Sequence, residues 1–344
     1  MQPIDIILSF EYALILYMLL FVVPGLVGMA LMRRGAIKAS LPWTKASYAL
    51  CRFIPHWRTV MAVNLGGSYL HLGEDTLART YLEESLRRSN RFANSFDIKN
   101  TRALAKAYLG VLQVREGQYA GVESLFQEAL AAKLNRRYRP FIVVYASSAY
   151  IHLGKFAEAD ALLHELLETP KLGAEFECTA HCNRSFSAYY QNRMGEALQA
   201  AQAAAQHPSR FPSTQAVMLV AQILAHIGTG DLEGAKKFEI QALTLVSIVA
   251  PFTQSAIYRA IAELALRLDN LDRARDYAER ASSLTMTPNG QANILLIQAE
   301  VFAARNNANR AETLCRDVLQ LECLPFYRER AVTLIARLEH QNGI

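Results

Sequence analysis

Between residues 140 and 170, apolar and small side chains recur at steps of three and four. Ala146, Ala149, Tyr150 and Leu153 lead up to Gly154, and Phe156, Ala159, Leu163 and Leu166 follow it. That period belongs to amphipathic helices, and Gly154 interrupts it where a left-handed residue would close the first helix. The stretch therefore predicts a helix, a tight turn and a second helix. One such hairpin cannot bury both of its apolar stripes, so copies of it are expected along the chain. Turn residues of the same kind stand at Gly73, Gly117, Gly154, Asn192, Gly230, Asp269 and Asn306, at steps of 37 to 44 residues. Gly, Asn and Asp are the residue types that tolerate the left-handed backbone. Five positions past each turn comes Ala78, Val122, Ala159, Ala197, Ala235, Ala274 or Ala311, a side chain small enough for two helices to cross closely. Tyr69, Tyr150 and Phe302 precede their turns by four, and Leu65-Gly66 and Leu109-Gly110 open further close contacts upstream. Pro170, Pro208 and Pro288 mark the ends of second helices. Alternating strand patterns are scarce, and no β-sheet is needed.

The pattern before the hairpins is different. Residues 6–32 carry a single charge, Glu11, in an otherwise apolar run, and about 20 such residues suffice to span a bilayer. A cleaved signal peptide would begin with basic residues and have a shorter apolar core. The run therefore reads as a retained transmembrane helix. Pro24-Gly25 either kinks it or turns it into a re-entrant hairpin, and Glu11 either snorkels to an interface or serves a function within the membrane. Residues 33–58 hold Arg33, Arg34, Lys38, Lys45, Arg52 and Arg58 and no acid, against a whole-chain net charge of +5. The basic character is thus juxtamembrane, and by the positive-inside bias the C-terminal flank should lie in the cytoplasm and the N-terminus outside it. Trp43 and Trp57 fall in the same stretch. The mixture suits a helix lying at the membrane interface through Arg33, Arg34, Lys38, Trp43, Lys45, Arg52, Trp57 and Arg58. A degenerate first repeat helix capping the solenoid is the second reading, and the two are compatible.

Leu65, Gly66, Tyr69, Gly73 and Ala78 in the first copy, and Tyr150, Gly154, Phe156 and Ala159 in the third, resemble the tetratricopeptide repeat family over roughly residues 59–320. The spacing exceeds the family's usual ~34 residues, and later copies have lost the aromatic or the glycine in places. The resemblance implies an all-α, right-handed superhelical solenoid of about seven helix-turn-helix hairpins. The expected organisation is an anchor at 1–34, a basic aromatic helix at 35–58, the solenoid at 59–322 and a capping helix at 323–344. That last helix would present Arg328, Glu329, Arg330, Arg337 and Glu339 as the polar end that a solenoid requires.

In this family the first helix of each hairpin forms the concave wall. The resemblance puts on it Val111, Val144, Ser148, Ile151, Phe186, Tyr189, Leu224 and Ile227, with Arg259 and Glu263 where the wall turns polar. An apolar helix or extended segment of a protein partner is then the expected guest, rather than a terminal carboxylate, which would call for a row of Lys, Arg and Asn. The function expected is a membrane-anchored adaptor in an envelope, secretion or polysaccharide-export assembly. The alternative is a purely structural subunit of a stable membrane complex.

Candidate chemistry changes this picture little. The odd number of cysteines, Cys51, Cys178, Cys182, Cys315 and Cys323, fits no disulfide framework and is compatible with a reducing compartment. Cys178, His181 and Cys182 share a helix face but lack the further ligand that a closed zinc site recruits, so packing is the better reading and no metal or cofactor is expected. Phosphate loops, nucleophile elbows and paired carboxylates outside solvated faces are missing, so the chain does not read as an enzyme. No small-molecule substrate is evident. Past residue 58 the chain is almost neutral and carries no groove-reading motif, so no nucleic acid is expected as a partner. Protein partners and membrane lipid remain.

Overall fold

The computed structural model describes residues 3–90, 96–284 and 287–342, and, within the first helix, side chains from Tyr12 onward apart from those at 13, 14 and 18. Glu11 thus lies outside the described side chains. The described residues form helices and turns and contain no strand.

The chain comprises α1 (Pro3–Arg33), α2 (Ile37–Leu50), α3 (Pro55–Leu72), α4 (Asp75–Ser89), α5 (Phe96–Arg115), α6 (Val122–Ala131), α7 (Arg139–His152), α8 (Phe156–Leu167) and α9 (Ala174–Tyr190). These are followed by α10 (Met194–Ala205), α11 (Pro212–Gly228), α12 (Leu232–Leu245), α13 (Pro251–Arg267), α14 (Leu271–Ser282), α15 (Pro288–Ala304), α16 (Ala308–Gln320) and α17 (Pro325–Asn342). They divide into two compact units. The first holds residues 1–112 and 125–139, the second residues 113–124 and 140–344.

All seven expected turn residues have a left-handed backbone, with φ between 57° and 79°. Each closes its helix in the same way. The N–H of Gly154 donates to the Ile151 carbonyl and that of Lys155 to Tyr150, and the pair of bonds repeats at the other turns, for example from Asn192 to Tyr189 and from Arg193 to Ala188. These bonds satisfy carbonyls that a helix end would otherwise leave without partners. The small residue five positions on is fully buried in every copy, from Ala78 to Ala311. The second helices of the last copies are also capped, Asp231, Asn270 and Asn307 each accepting from a backbone N–H three residues ahead.

An eighth hairpin precedes these seven, and the basic aromatic stretch supplies its second helix, in line with the alternative of a degenerate repeat helix. Gly35 has φ 79°, its N–H donates to the Met32 carbonyl, and that of Ala36 donates to Leu31. The closure is the one found at every other turn, and Gly35 stands 38 residues before Gly73. Seven residues upstream of each turn, Gly28, Gly66 and Gly110 occupy one place in the hairpin. A Cβ there would lie 2.5–2.6 Å from Thr44, Leu82 and Phe126, each nine residues past its own turn. The C-terminal half of the expected anchor is therefore also the first helix of a repeat, and α2 is its second. Residues 35–58 accordingly do not form one helix: they contain α2, a 3-10 turn at Cys51–Phe53 and the start of α3.

Candidate functional site: the inner wall of the second unit

The first helices α7, α9, α11 and α13 of the second unit bring wall residues to one cavity: those six and three before the turn from α7 and α9, the one six before it from α11 and the one ten before it from α13. Ser148, Ile151, Phe186, Tyr189, Leu224 and Arg259 line a single cavity of about 130 Å³, together with His152, Tyr190, Phe252 and Tyr327. The other wall residues fall elsewhere. Val111 belongs to the first unit, Val144 is buried in α7, and Ile227 packs in an aliphatic cluster with Ala235 and Ile257. Glu263 is 1% exposed and engaged in ion pairs.

One side of the cavity is closed by Tyr327, in the first turn of α17. The same turn carries Phe326, which packs 5.3 Å from Tyr189 and 5.6 Å from Tyr190, ring centre to ring centre. Tyr327 lies 5.8 Å from the Tyr190 ring. Ala331, Leu334 and Leu338 continue the buried stripe along the helix. The expected polar cap is therefore corrected. Arg328, Glu329, Arg337 and Glu339 do face solvent, but Arg330 turns inward with the aromatic pair. Its guanidinium donates to Glu263 Oε1 at 3.1 Å and to Glu300 Oε1 at 2.8 Å. Arg267 donates to Glu263 Oε1 at 2.9 Å from the other side. Burial pushes the Glu263 carboxyl up, but the charges of Arg330 and Arg267 outweigh it and hold the group below the usual carboxylate range. Burial likewise works against the charged Arg330, and Glu263 and Glu300 more than restore it.

Asn289 fastens the other edge. Its amide donates to the His152 carbonyl at 3.0 Å and to Tyr119 Oη at 3.3 Å, and its carbonyl accepts from the Leu324 N–H at 2.8 Å. One side chain thus ties the end of α7 to the start of α17. His152 is kept neutral: burial lowers its pKa to about 4, with the nearby Arg259 charge acting in the same direction. Arg259 Nε is buried without a hydrogen-bond partner. The aromatic pair and Asn289 escaped the sequence reading, although the Phe326, Ala331, Leu334 and Leu338 spacing was there to be found.

Cys178 and Cys182 pack with Ala204 against Val217 and Met218, and His181 stacks on His207 at 5.6 Å. Among the described residues no group of three or more His, Cys, Asp or Glu is placed to hold a metal ion.

No family model matches the chain, and no curated protein matches it. Solved structures with similar helix arrangements include a tetratricopeptide repeat protein from Parabacteroides merdae, at 14% identity over 81% of this chain and 98% of that one, with a TM-score of 0.46. Yeast Tom70 aligns at 14% identity over 84% of this chain and 65% of its own, with a TM-score of 0.48. A signal-transduction ATPase with a tetratricopeptide repeat sensor from Pyrococcus horikoshii aligns at 16% identity over 88% and 50%, with a TM-score of 0.46. The likeness is one of all-helical, tetratricopeptide-type hairpin architecture and goes no further.

Proposed function

We propose that this chain is a membrane-anchored scaffold that holds protein partners on its repeat hairpins, with the inner wall of the second unit as the partner-binding surface. The observation that supports this reading is the wall's existing occupant. The first turn of α17 lays an aromatic pair against Tyr189 and Tyr190 at its edge. A surface that accepts an amphipathic helix from its own chain has the chemistry to accept one from another. A partner helix would compete with α17 for the same aromatic shelf, because a cavity of about 130 Å³ has no room for a second helix beside it.

The anchor is the apolar part of α1, where Ile15–Arg33 is long and apolar enough to cross a membrane. The six cations at 33–58 favour a single pass with the N-terminus outside the cytoplasm and the hairpins inside it. An envelope, secretion or polysaccharide-export assembly is a setting that such a scaffold would serve.

The test is affinity purification of the full chain from native membranes, comparing wild type with Ser148→Arg. Ser148 is half-buried at the cavity edge, so an arginine there obstructs the wall and leaves the cores of the hairpins alone. Loss of a co-purifying protein at an unchanged melting temperature is expected. Identical co-purifying proteins from both would remove the inner wall from the proposal.

A further inference from the structure

Large apolar side chains are not scattered over this protein's surface. Of the fourteen that are exposed among the described residues, ten lie between Tyr12 and Phe53. Tyr12, Ile15, Leu16, Leu19, Leu20, Val23 and Leu26 form one stripe along α1, opposite the side that Phe21, Gly25 and Gly28 turn toward α2 and α3. The outer face of a terminal repeat is ordinarily polar. Here it is not, and the stripe does not stop at α1.

α2 runs back alongside α1, and three contacts fix the heights. Gly28 lies against Ser40 and Thr44, Ser47 Oγ donates to the Phe21 carbonyl at 2.7 Å, and Tyr17 Oη donates to the Leu50 carbonyl at 2.7 Å. The junction between α2 and α3 thus stands beside Tyr17–Phe21, well back along the apolar helix. At that height Leu50 is 39% exposed and Phe53 80%. A phenylalanine so exposed beside a row of exposed leucines points to a non-aqueous neighbour. Lys38, Lys45 and Arg52 recur every seven residues, all three exposed. Lys38 stands beyond Gly28 toward the turn, near Arg33 and Arg34, and Lys45 between the heights of Gly28 and Gly25, where anionic headgroups would meet them.

We propose that the cytoplasmic leaflet closes over the α2–α3 junction, with Leu50 and Phe53 seated among the acyl chains beside α1, so that α1 is at once the anchor and a helix of the first hairpin. This rests on the membrane-anchor reading above. A hydrocarbon layer of about 30 Å corresponds to some 20 helical residues. Ending that layer near Leu26 puts its far edge close to residue 8, which leaves Glu11 within a turn of an interface. Lys38 and Lys45 then fall at or outside the boundary. Arg52, at the end of α2, is left at depth, and its long stem can carry the guanidinium outward; Arg58 and Arg88 stand at the height of Tyr48 as well, ion-paired with Glu84. Ending the layer at Arg33 instead would submerge Lys45 as well, away from the headgroups that favour its charge.

The full chain is reconstituted in vesicles of phosphatidylcholine and phosphatidylglycerol, as Phe53→Trp and, separately, as Ile240→Trp. Ile240 is 73% exposed on α12 of the second unit, so both substitutions spare the core. The added emission of Phe53→Trp should be blue-shifted and lose more than half its intensity when the acyl chains carry bromine. That of Ile240→Trp should stay water-like and unquenched. Water-like, unquenched emission from Phe53→Trp in protein that resists carbonate extraction would overturn the seating and leave the anchor intact. Release of the wild type by carbonate would overturn the anchor itself.

Discussion

Replacing Arg330 by methionine tests whether α17 is locked onto the inner wall by charge. Glu263 is 1% exposed, and Arg330 supplies every hydrogen bond given to its Oε2, two at 3.3 Å, while Arg267 serves only Oε1. Methionine restores most of the buried volume but leaves Oε2 unpaired and Glu300 without its 2.8 Å donor. Breaking a buried pair by removing one partner costs about 3–5 kcal/mol, and Arg267 keeps part of the carboxylate compensated. A loss of about 3 kcal/mol is expected, or roughly 6–12 °C in melting temperature at the 2–4 °C per kcal/mol typical of domains of 150–250 residues. Acid should act in opposite directions on the two proteins. In the wild type the carboxyl is held below its ordinary range, so its stabilisation is complete above the usual carboxylate pKa and is lost as pH falls toward the lowered value. In the variant burial prevails, the carboxyl titrates higher, and mild acid narrows the gap to wild type. Thermal and urea unfolding of both full chains from neutral pH down to pH 4 measures this. A shift under about 1 kcal/mol, or a gap that widens in acid, would refute the lock. Glu263→Gln in the same background should recover part of the loss, since it removes the unpaired charge.

Gly110→Ala drives a Cβ to 2.6 Å from the Phe126 ring and should cost about 1–3 kcal/mol, whereas Gly195→Ala meets nothing within 4 Å and should stabilise α10 by up to about 1 kcal/mol; urea titration of the two variants separates them. His152, with its pKa lowered to about 4, binds its proton more readily unfolded than folded, so its contribution is complete above about pH 6.5 and drains away as pH falls toward 4; His152→Phe should flatten that part of the stability profile. A reporter fused after Ile344 should be active only if it is of the cytoplasmic kind, and replacing Arg33, Arg34, Lys38 and Lys45 by Gln should send part of the population the other way.

The hairpins were legible because their turns obey steric rules that act locally. Only Gly, Asn and Asp sit easily at φ near +60°, and the small residue five positions on answers to a contact inside the same hairpin. The hairpin at Gly35 was hidden for a chemical reason. Its first helix is apolar on every side, so the periodicity that marks the other copies vanishes into a continuous hydrophobic run, even though Gly28, Gly35 and Ser40 sit in register. The wall was half legible. Residues three and six before each turn share a side by helical geometry alone, which is why Ser148, Ile151, Phe186, Tyr189 and Leu224 meet. What covers them depends on contacts such as Tyr190 with Tyr327, 137 residues apart, and no local rule encodes that distance. Arg330 looked like solvent-facing charge because its carboxylate partners, Glu263 and Glu300, lie on two other helices.

The most direct test of the scaffold reading is photo-cross-linking in native membranes, with a benzophenone amino acid in place of Phe186 on the inner wall or of the exposed Ile240 on α12. The account predicts a discrete adduct of higher mass from position 186 and none from 240, because contact within the chain leaves the mass unchanged. An adduct from 240 alone, with 186 silent, would contradict it and move partner binding to the second helices.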